Sequence, residues 1–484
     1  MQALSAPVHD PVPPGWETGT IVILPSLSFP VVELAKIKGV MHYEERLLWT
    51  LLLLERPDVR LVYLSSMPVE PSIVEYYLSF LTDPADARRR LHLQAVGEAG
   101  VRPLTDKLLD RPELLRAIRD VLPDDGSAVV VPFNVAGGEW RVAAALGATL
   151  DGPRPELAPL GFKTGARRAA RRAGVQVPDG EEDLRSLDAV TRALLHLRRR
   201  RPEATSAVVK LNNGFSGQGN ALIELVGADE DVPVQRWPTT FCAAGESWPT
   251  FAAKVADEGA IAEEVVPDLV ASPSVQLRAS TGGSLQVVST HDQVLGGPGG
   301  QVYLGCRFPA DATYRSAIRD AGIAVGQVLA DEGVVGPFGI DFLVGAGSDG
   351  PRVYLSEINL RMGGTTHPFW LARLATAGRY DPALGQLVTP AGPRGYVATD
   401  NLTTPAFAGC SPATVIEAVR DAGLALERGS TRGVTLHLLG ALCPFGKMGV
   451  TCIAPTLEEA DALFVEVNAL LSSPSVAGSV PQRP

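Results

Sequence analysis

Cysteine is scarce in this chain. Five residues (Cys242, Cys306, Cys410, Cys443 and Cys452) are scattered through 484, an odd number with no close Cys-x-x-Cys pair. Such a set frames no disulfide scaffold and points to a reduced cytoplasm. Long apolar runs are missing too: the longest, LLWTLLLL at 47–54, falls far short of the about 20 residues that span a bilayer. Basic residues are in the minority, 43 against 54 acidic, giving a net charge of −11 and a pI near 5.3. That balance argues against a nucleic-acid binder or a protein docking on anionic membranes, while leaving room for local basic sites. The opening MQALSAPVHDPVPPGW contains prolines and no apolar core of a signal peptide. No internal repeat is present.

Core material, by contrast, is ample. Hydrophobic residues make up 45% of the chain and mean hydropathy is +0.11. One domain per roughly 150 residues then predicts about three. From Gly19 the runs TIVILPS, YEERLLWTLLLLERP and VRLVYLSS read as strand, helix, strand, and SAVVVPF follows a helical segment at 114–122. Apolar strands alternating with amphipathic helices predict an α/β domain with a largely parallel sheet. GFKTGARRAARRAGVQVP reads as a helix closed by glycine before a strand-like VQVP, its arginines, like Arg198–Arg201, forming a solvated face. Further strands are expected at 261–266 and 274–278, a helix at 314–332, and an antiparallel pair, GIDFLV and RVYLSEINL, joined by GAGSDG. From Gly395 a last unit alternates strands (396–402, 433–439) with helices (412–424, 456–471). The expected organisation is a flexible N-terminus (1–16), an α/β domain (17–150), a central catalytic region (151–394), a small α/β unit completing it (395–472) and a disordered tail (473–484).

Chemistry enters at VVKLNNGFSGQGN, residues 208–220, a strand-like run ending in Lys210 and a loop with three glycines. Glycines that free backbone N–H groups beside a lysine suggest a phosphate cradle. The lysine precedes the loop and a second strand, ALIEL, follows it, so neither the Walker nor the dinucleotide pattern applies. A hairpin flap is the remaining reading. The second constellation lies in GIDFLV and YLSEINLRMGGTTHP. Residues i and i+2 of a strand face one side, so Glu357, Asn359 and Arg361 are expected to project together, with Asp341 opposite them. Two carboxylates and an amide oxygen suit a hard cation such as Mg²⁺ whose other positions go to phosphate oxygens.

In order and spacing these marks resemble the ATP-grasp superfamily of carboxylate–amine ligases over roughly residues 20–450. They are Lys163 before a helix ending in GVQVP, Lys210 before the glycine-rich flap, the acidic hinge IAEEVVPD, and Asp341 with EINLR. The N-terminal domain, GPFGIDFLV and GVTLHLLGALCPFGKMGVTCI are most similar to the pheganomycin-type peptide ligases. The resemblance implies an α/β ATP-grasp fold with an N-terminal parallel-sheet domain and a small C-terminal α/β unit, and ATP with Mg²⁺ as cofactors. Lys163 and Lys210 would meet ATP phosphates, and the backbone of Gly214, Phe215, Ser216, Gly217, Gln218 and Gly219 would close over them. Glu263, with the backbone from Glu264 to Val266, would meet the adenine edge and Asp268 the ribose. Asp341, Glu357 and Asn359 would hold two Mg²⁺ ions, and Arg361 would steady the transferring phosphoryl group or the acyl phosphate. Arg278 and Arg307 are candidate carboxylate or γ-phosphate clamps, or else structural ion pairs. His291 and His367 lack metal-ligand spacing and read as structural or substrate-adjacent. This chain departs from the wider superfamily in having Leu-Asn-Asn after Lys210, and Gln218 in the flap.

The implied activity is amide formation. A carboxylate attacks the γ-phosphorus of ATP, ADP leaves, and an amine captures the acyl phosphate, with positioning and charge neutralisation supplying the catalysis. The partners would be a small-molecule carboxylate and an amino-acid or peptide amine, with no nucleic acid or membrane and a homodimer as a candidate assembly. Two alternatives stay open at this level: a carboxylase-like enzyme activating bicarbonate, for which no Met-Lys-Met biotinylation motif is present, and a nucleotide-binding protein without turnover.

Overall fold

A computed structural model describes residues 15–473, apart from 215–218, 228–230, 244, 298–299, 301, 349, 405–406 and 408. Phe215, Ser216, Gly217 and Gln218 of the flap therefore lie outside the described residues, as do most of the expected flexible ends. The chain folds as two compact units. One comprises residues 1–155, 306–309 and 361–484; the other comprises 156–305 and 310–360.

The first unit begins with strands β1 (Gly19–Leu24), β2 (Val59–Ser65), β3 (Leu91–Ala95), β4 (Val129–Pro132) and β5 (Thr149–Leu150). They form the expected parallel sheet, in the order β3-β2-β1-β4-β5. Helices cover its faces, so strands such as TIVIL are buried along nearly their whole length. The helix expected within YEERLLWTLLLLERP forms, but with 3₁₀ hydrogen bonding from Val40 to Glu55. Twelve of its residues are buried, so burial on nearly all sides, not an amphipathic period, fixes this segment.

A 3₁₀ turn, Pro155–Gly161, leads into the second unit and its helix Lys163–Arg172. VQVP after it is not a strand; Gln176 O accepts the Leu355 N–H as an isolated bond. Strands β6 (Gly180–Leu184), β7 (Ser206–Leu211), β8 (Asn220–Glu224), β9 (Thr239–Phe241) and β10 (Ala260–Glu264) form one sheet, ordered β6-β10-β7-β8-β9. β7 and β8 are the expected hairpin, antiparallel with Lys210 opposite Asn220. A second layer holds β11 (Leu269–Ala271), β12 (Pro273–Ala279), β13 (Leu285–Gly296), β15 (Gly336–Gly345) and β16 (Arg352–Asn359), with β14 (Val302–Phe308) between β13 and β15 in the chain. β15 pairs antiparallel with β16 on one side and with β12 and β11 on the other. The helix Arg315–Asp331 packs on this layer through Gly322 and Gly326, where a Cβ would stand 3.2 Å from Val275 and 2.8 Å from Leu285.

The chain then returns to the first unit with β17 (Arg379–Asp381), β18 (Gln386–Thr389), β19 (Gly392–Thr403), β20 (Gly433–His437) and β21 (Lys447–Ala454), all paired antiparallel. The helices Pro412–Asp421 and Leu457–Leu471 fall where sequence placed them, each opened by a side-chain cap, Ser411 or Thr456. No helix among the described residues is long and apolar enough to cross a membrane.

Candidate active site

The site in the second unit is built on β15 and β16. Asp341 stands opposite Glu357 and Gly339 opposite Asn359, so the two carboxylates and the amide share one face, and Asn359 Nδ2 donates to Asp341 Oδ2 at 3.0 Å. The register slips between Asp341 and Phe342, leaving Ser356 as the extra residue of a bulge. Bulges of this kind re-aim side chains beside active sites; here Ser356 Oγ is turned to within 3.4 Å of Lys210 Nζ. All three oxygen-bearing side chains are part-exposed. On β12, Ser274, Gln276 and Arg278 pair with Asp341, Gly339 and Pro337, so Arg278 lies on the Asp341 face but at its far end. Arg278 is buried there.

The two lysines reach this face from different elements. Lys163 is the first residue of its helix and is 5% exposed; its Nζ lies 2.8 Å from Glu357 Oε1 and donates to Gly214 O at 3.1 Å. Lys210, at the end of β7, sets its Nζ 2.6 Å from Glu263 Oε1. The neck of the flap is narrow: Gly214 and Gly219 face each other so closely that a Cβ on either would stand about 3 Å from the other's Cα. Leu211 N–H closes it by donating to Gly219 O. Oxygen ligands on one face, with an ammonium already paired to Glu357, make a donor set suited to a hard cation between carboxylates and phosphate.

Several expectations change. Glu263 was expected at an adenine edge, but its carboxylate is buried between Lys210 and Arg167, whose Nη1 is 2.8 Å away. Arg167 therefore does not belong to a solvated arginine face. It is 2% exposed and also meets Glu182 and Pro178 O, whereas Arg168, Arg171 and Arg172 are exposed and pair with Asp183, Glu182 and Glu332. Glu264 is buried against the β6 side, its N–H donating to Asp179 O and its Oε1 accepting from Asp179 N. Val266 is buried, and Asp268 is exposed with φ 49°, a left-handed geometry that Asp tolerates. Arg361 does not continue the Glu357–Asn359 face, because β16 ends at Asn359; Arg361 belongs to the first unit, its guanidinium 5.5 Å from the Phe29 ring centre. Arg307, also in the first unit, pairs with Asp461, the ion-pair alternative.

Three residues escaped the sequence reading. Arg167 shares a helix face with Lys163, Ala166 and Ala170 at the i, i+3, i+4, i+7 spacing, a signal that was there to read. Asn212 of the unusual Leu-Asn-Asn turn is a clamp: Oδ1 accepts from Thr164 N and Oγ1, and Nδ2 donates to Glu258 O. It ties the flap neck to the start of the Lys163 helix. Ser356 depends on a bulge that no periodicity announces. Of the histidines, His291 is fully buried, and desolvation pushes its pKa down to about 3.

The chain is 33% identical over 474 residues to L-propargylglycine–L-glutamate ligase of Streptantibioticus cattleyicolor, covering 94% of each. Residues 414–463 match the PGM1 C-terminal domain family. Among solved structures, biotin carboxylase from Campylobacter jejuni superimposes with a TM-score of 0.56 at 12% identity, covering 96% of this chain and 97% of that one. An N5-carboxyaminoimidazole ribonucleotide synthetase in complex with ADP gives 0.52 at 15%, covering 93% and 96%.

Proposed function

The chain has the ATP-grasp fold and belongs to the ATP-grasp carboxylate–amine ligases, the family of L-propargylglycine–L-glutamate ligase, and from that premise we propose that it joins the carboxylate of an amino-acid derivative to the α-amine of a second amino acid or of a peptide. The observation that carries this reading is the meeting of Lys163, Lys210, Asp341, Glu357 and Asn359 on one face of the second unit. A carboxylate is a poor electrophile, since its charge repels an amine and oxide cannot leave. Phosphorylation by ATP corrects both: the carboxylate oxygen bonds to the γ-phosphorus as the bond to ADP breaks, and the amine then displaces phosphate, losing a proton. In this reading Asp341, Glu357 and Asn359 would hold Mg²⁺, which supplies neutralisation of phosphate charge. Lys163 and Lys210 bind and orient the phosphates, and the flap anchored at Gly214 and Gly219 excludes water from the activated acid. Glu263, held by Arg167, keeps Lys210 aimed.

The finer identity of the acceptor is part of the proposal. The resemblance to pheganomycin-type peptide ligases favours a peptide N-terminus, and the name of the 33% identical relative favours a single amino acid. Screening acids against amines for ADP release, with mass spectrometry of the products, tests the whole reading. ADP release that needs both an acid and an amine, with the matching amide as product, is the expected result; release stimulated by bicarbonate alone would overturn it.

A further inference from the structure

The polar face of β15 and β16 extends across one more strand. On β12, Gln276 stands opposite Gly339 and Ser274 opposite Asp341, while on β16 Asn359 and Glu357 flank the same two β15 residues. Directly opposed residues of antiparallel strands share a face. Two rows result: Ser274, Asp341 and Glu357 in one, and Gln276, Gly339 and Asn359 in the other. The middle of the second row has no side chain, and the Gln276 amide lies over it. A Cβ at Gly339 would stand 2.9 Å from Gln276 Oε1 and 3.1 Å from Nε2. Gly339 is outside the left-handed region, so what this glycine provides is room.

Neighbouring side chains turn the amide this way. Nε2 donates to Ser274 Oγ at 3.3 Å, and on the other side of β12 the opposed Ser289 Oγ, fully buried, bonds to nothing among the described residues. Gln276 is 9% exposed, and its Oε1 accepts no hydrogen bond from any described residue.

We propose that Gln276 Oε1 binds and orients the amine of the acceptor, an inference that rests on the ligase reading. The other polar groups of this face are committed. Asp341, Glu357 and Asn359 are the proposed cation ligands, Lys163 and Lys210 are paired with Glu357 and Glu263, Arg278 offers donors alone, and Ser274 is 1% exposed. The amine that captures the acyl phosphate brings N–H groups, and Gln276 Oε1 is the acceptor left for one of them. A neutral amide suits this ligand better than a carboxylate does. The nucleophile must be the free amine, and an adjacent negative charge would favour its ammonium form instead. An amide takes no proton: the C–N bond forms as the C–O bond to phosphate breaks, and the departing phosphate carries off the amine proton. A tie that only fastens β12 to itself is the competing role for Gln276, and kinetics separates the two.

The acid–amine pair returned by product screening supplies the substrates, and hydroxylamine, a small trap for acyl phosphates, reports activation of the acid. Gln276→Leu removes the acceptor atom at similar volume, while Gly339→Ala keeps the glutamine and pushes its amide aside. Both should raise KM for the amine about tenfold, the scale of one lost hydrogen bond, with KM for ATP held and less amide formed per hydroxamate. Gly339→Ala meets only the far end of a flexible side chain, so it folds and decides the matter alone if Gln276→Leu does not. Gln276→Glu should lower turnover at about pH 7 and regain it as pH rises, because its charge retains the ammonium form. The other charged groups on this face, Asp341, Glu357, Arg278, Lys163 and Lys210, are common to every variant; His291 of β13, with its pKa at about 3, is neutral, and the helix Arg315–Asp331 packs on the opposite face through Val275. An amine KM unmoved in both Gln276→Leu and Gly339→Ala, or a Gln276→Glu pH profile matching wild type, would overturn the inference while hydroxamate formation leaves the ligase reading standing. No hydroxamate from the wild type with any acid would overturn the ligase reading, and this inference with it.

Discussion

Lys163 Nζ lies 2.8 Å from Glu357 Oε1, a phosphate-binding candidate paired with a metal-ligand candidate. In the proposed reading each stands where the other's ligand would be: the ammonium would take the place of a cation at Glu357, and the carboxylate that of phosphate at Lys163. Loading the site with Mg²⁺ and ATP would then amount to a change of partners, keeping both charges compensated before and after.

Glu357→Gln should therefore separate nucleotide from metal. ADP release is expected to drop about 10²-fold or more, the scale of losing one charge-stabilising group. Affinity for Mg²⁺-free ATP should hold or rise, because Lys163 is released from its carboxylate, while the gain in affinity on adding Mg²⁺ disappears. Calorimetric titration with and without Mg²⁺ checks this, and an undiminished Mg²⁺ effect would remove Glu357 from the metal site.

Lys210→Ala is expected to weaken ATP binding about 10- to 100-fold, as fits a charge-assisted bond of about 1.5–3 kcal/mol at about 1.4 kcal/mol per tenfold. The fold should survive, since Glu263 keeps Arg167 at 2.8 Å. Unchanged affinity in a titration would refute the cradle.

Arg167→Leu should behave in the opposite way. It leaves Glu263 to Lys210 alone and Glu182 to the exposed Arg171, and takes the guanidinium donor from Pro178 O, so the loss should approach the about 3–5 kcal/mol of breaking a buried ion pair. The thermal midpoint of the second unit should fall clearly. A variant as stable as wild type would show that these carboxylates do not depend on Arg167.

Arg167 also marks where sequence reading stops. The period-2 pattern of β15 and β16 made the Asp341, Glu357 and Asn359 face legible, because alternation in a strand is local geometry. The same logic carried Arg361 too far, since alternation says nothing about where a strand ends. Arginines at 167, 168, 171 and 172 look alike in sequence, and both Arg167 and Arg171 meet Glu182 on β6; it is Glu263 on β10 that marks out the buried one. His367, Asp400, His437 and Arg46 are hundreds of residues apart at their extremes, and their meeting is set by sheet topology, which no single-sequence pattern encodes.

A pH dependence of stability is expected from Glu44. It is buried, accepts from Ser66 N at 2.6 Å and Ser66 Oγ at 2.5 Å, and Lys107 Nζ donates to the same Oγ at 2.8 Å. Burial raises its pKa from 4.5 to about 7, outweighing the Ser66 bonds and the Lys107 charge. The folded state thus keeps a proton that the unfolded state releases. The stability it contributes is full below about pH 4.5 and is lost as pH rises to about 7, on the order of 3 kcal/mol at about 1.4 kcal/mol per unit. Glu44→Gln should gain stability relative to wild type across that window, seen in urea unfolding at pH 5 and pH 7.5. A gap between the two proteins that does not change with pH would contradict it.

The acceptor supplies the last prediction. Capture of an acyl phosphate needs only a free, neutral amine, and an α-amine with a pKa of about 7.7–8.0 has a usable neutral fraction near pH 7, whereas a lysine side chain at about 10.4 has almost none. If activating the acid takes most of the selectivity, several unrelated peptides should be ligated at their N-termini along with single amino acids. N-acetylated versions should give no product, and side-chain amines very little. With acid and ATP saturating, and acceptor well below its KM, the rate should climb as pH rises toward the α-amine pKa and then level off. Product analysis by mass spectrometry across a set of free and acetylated peptides makes the distinction. Exclusive use of one free amino acid, with every peptide refused, would leave carboxylate–amine ligation in place and show that the acceptor pocket, not amine basicity, sets the choice.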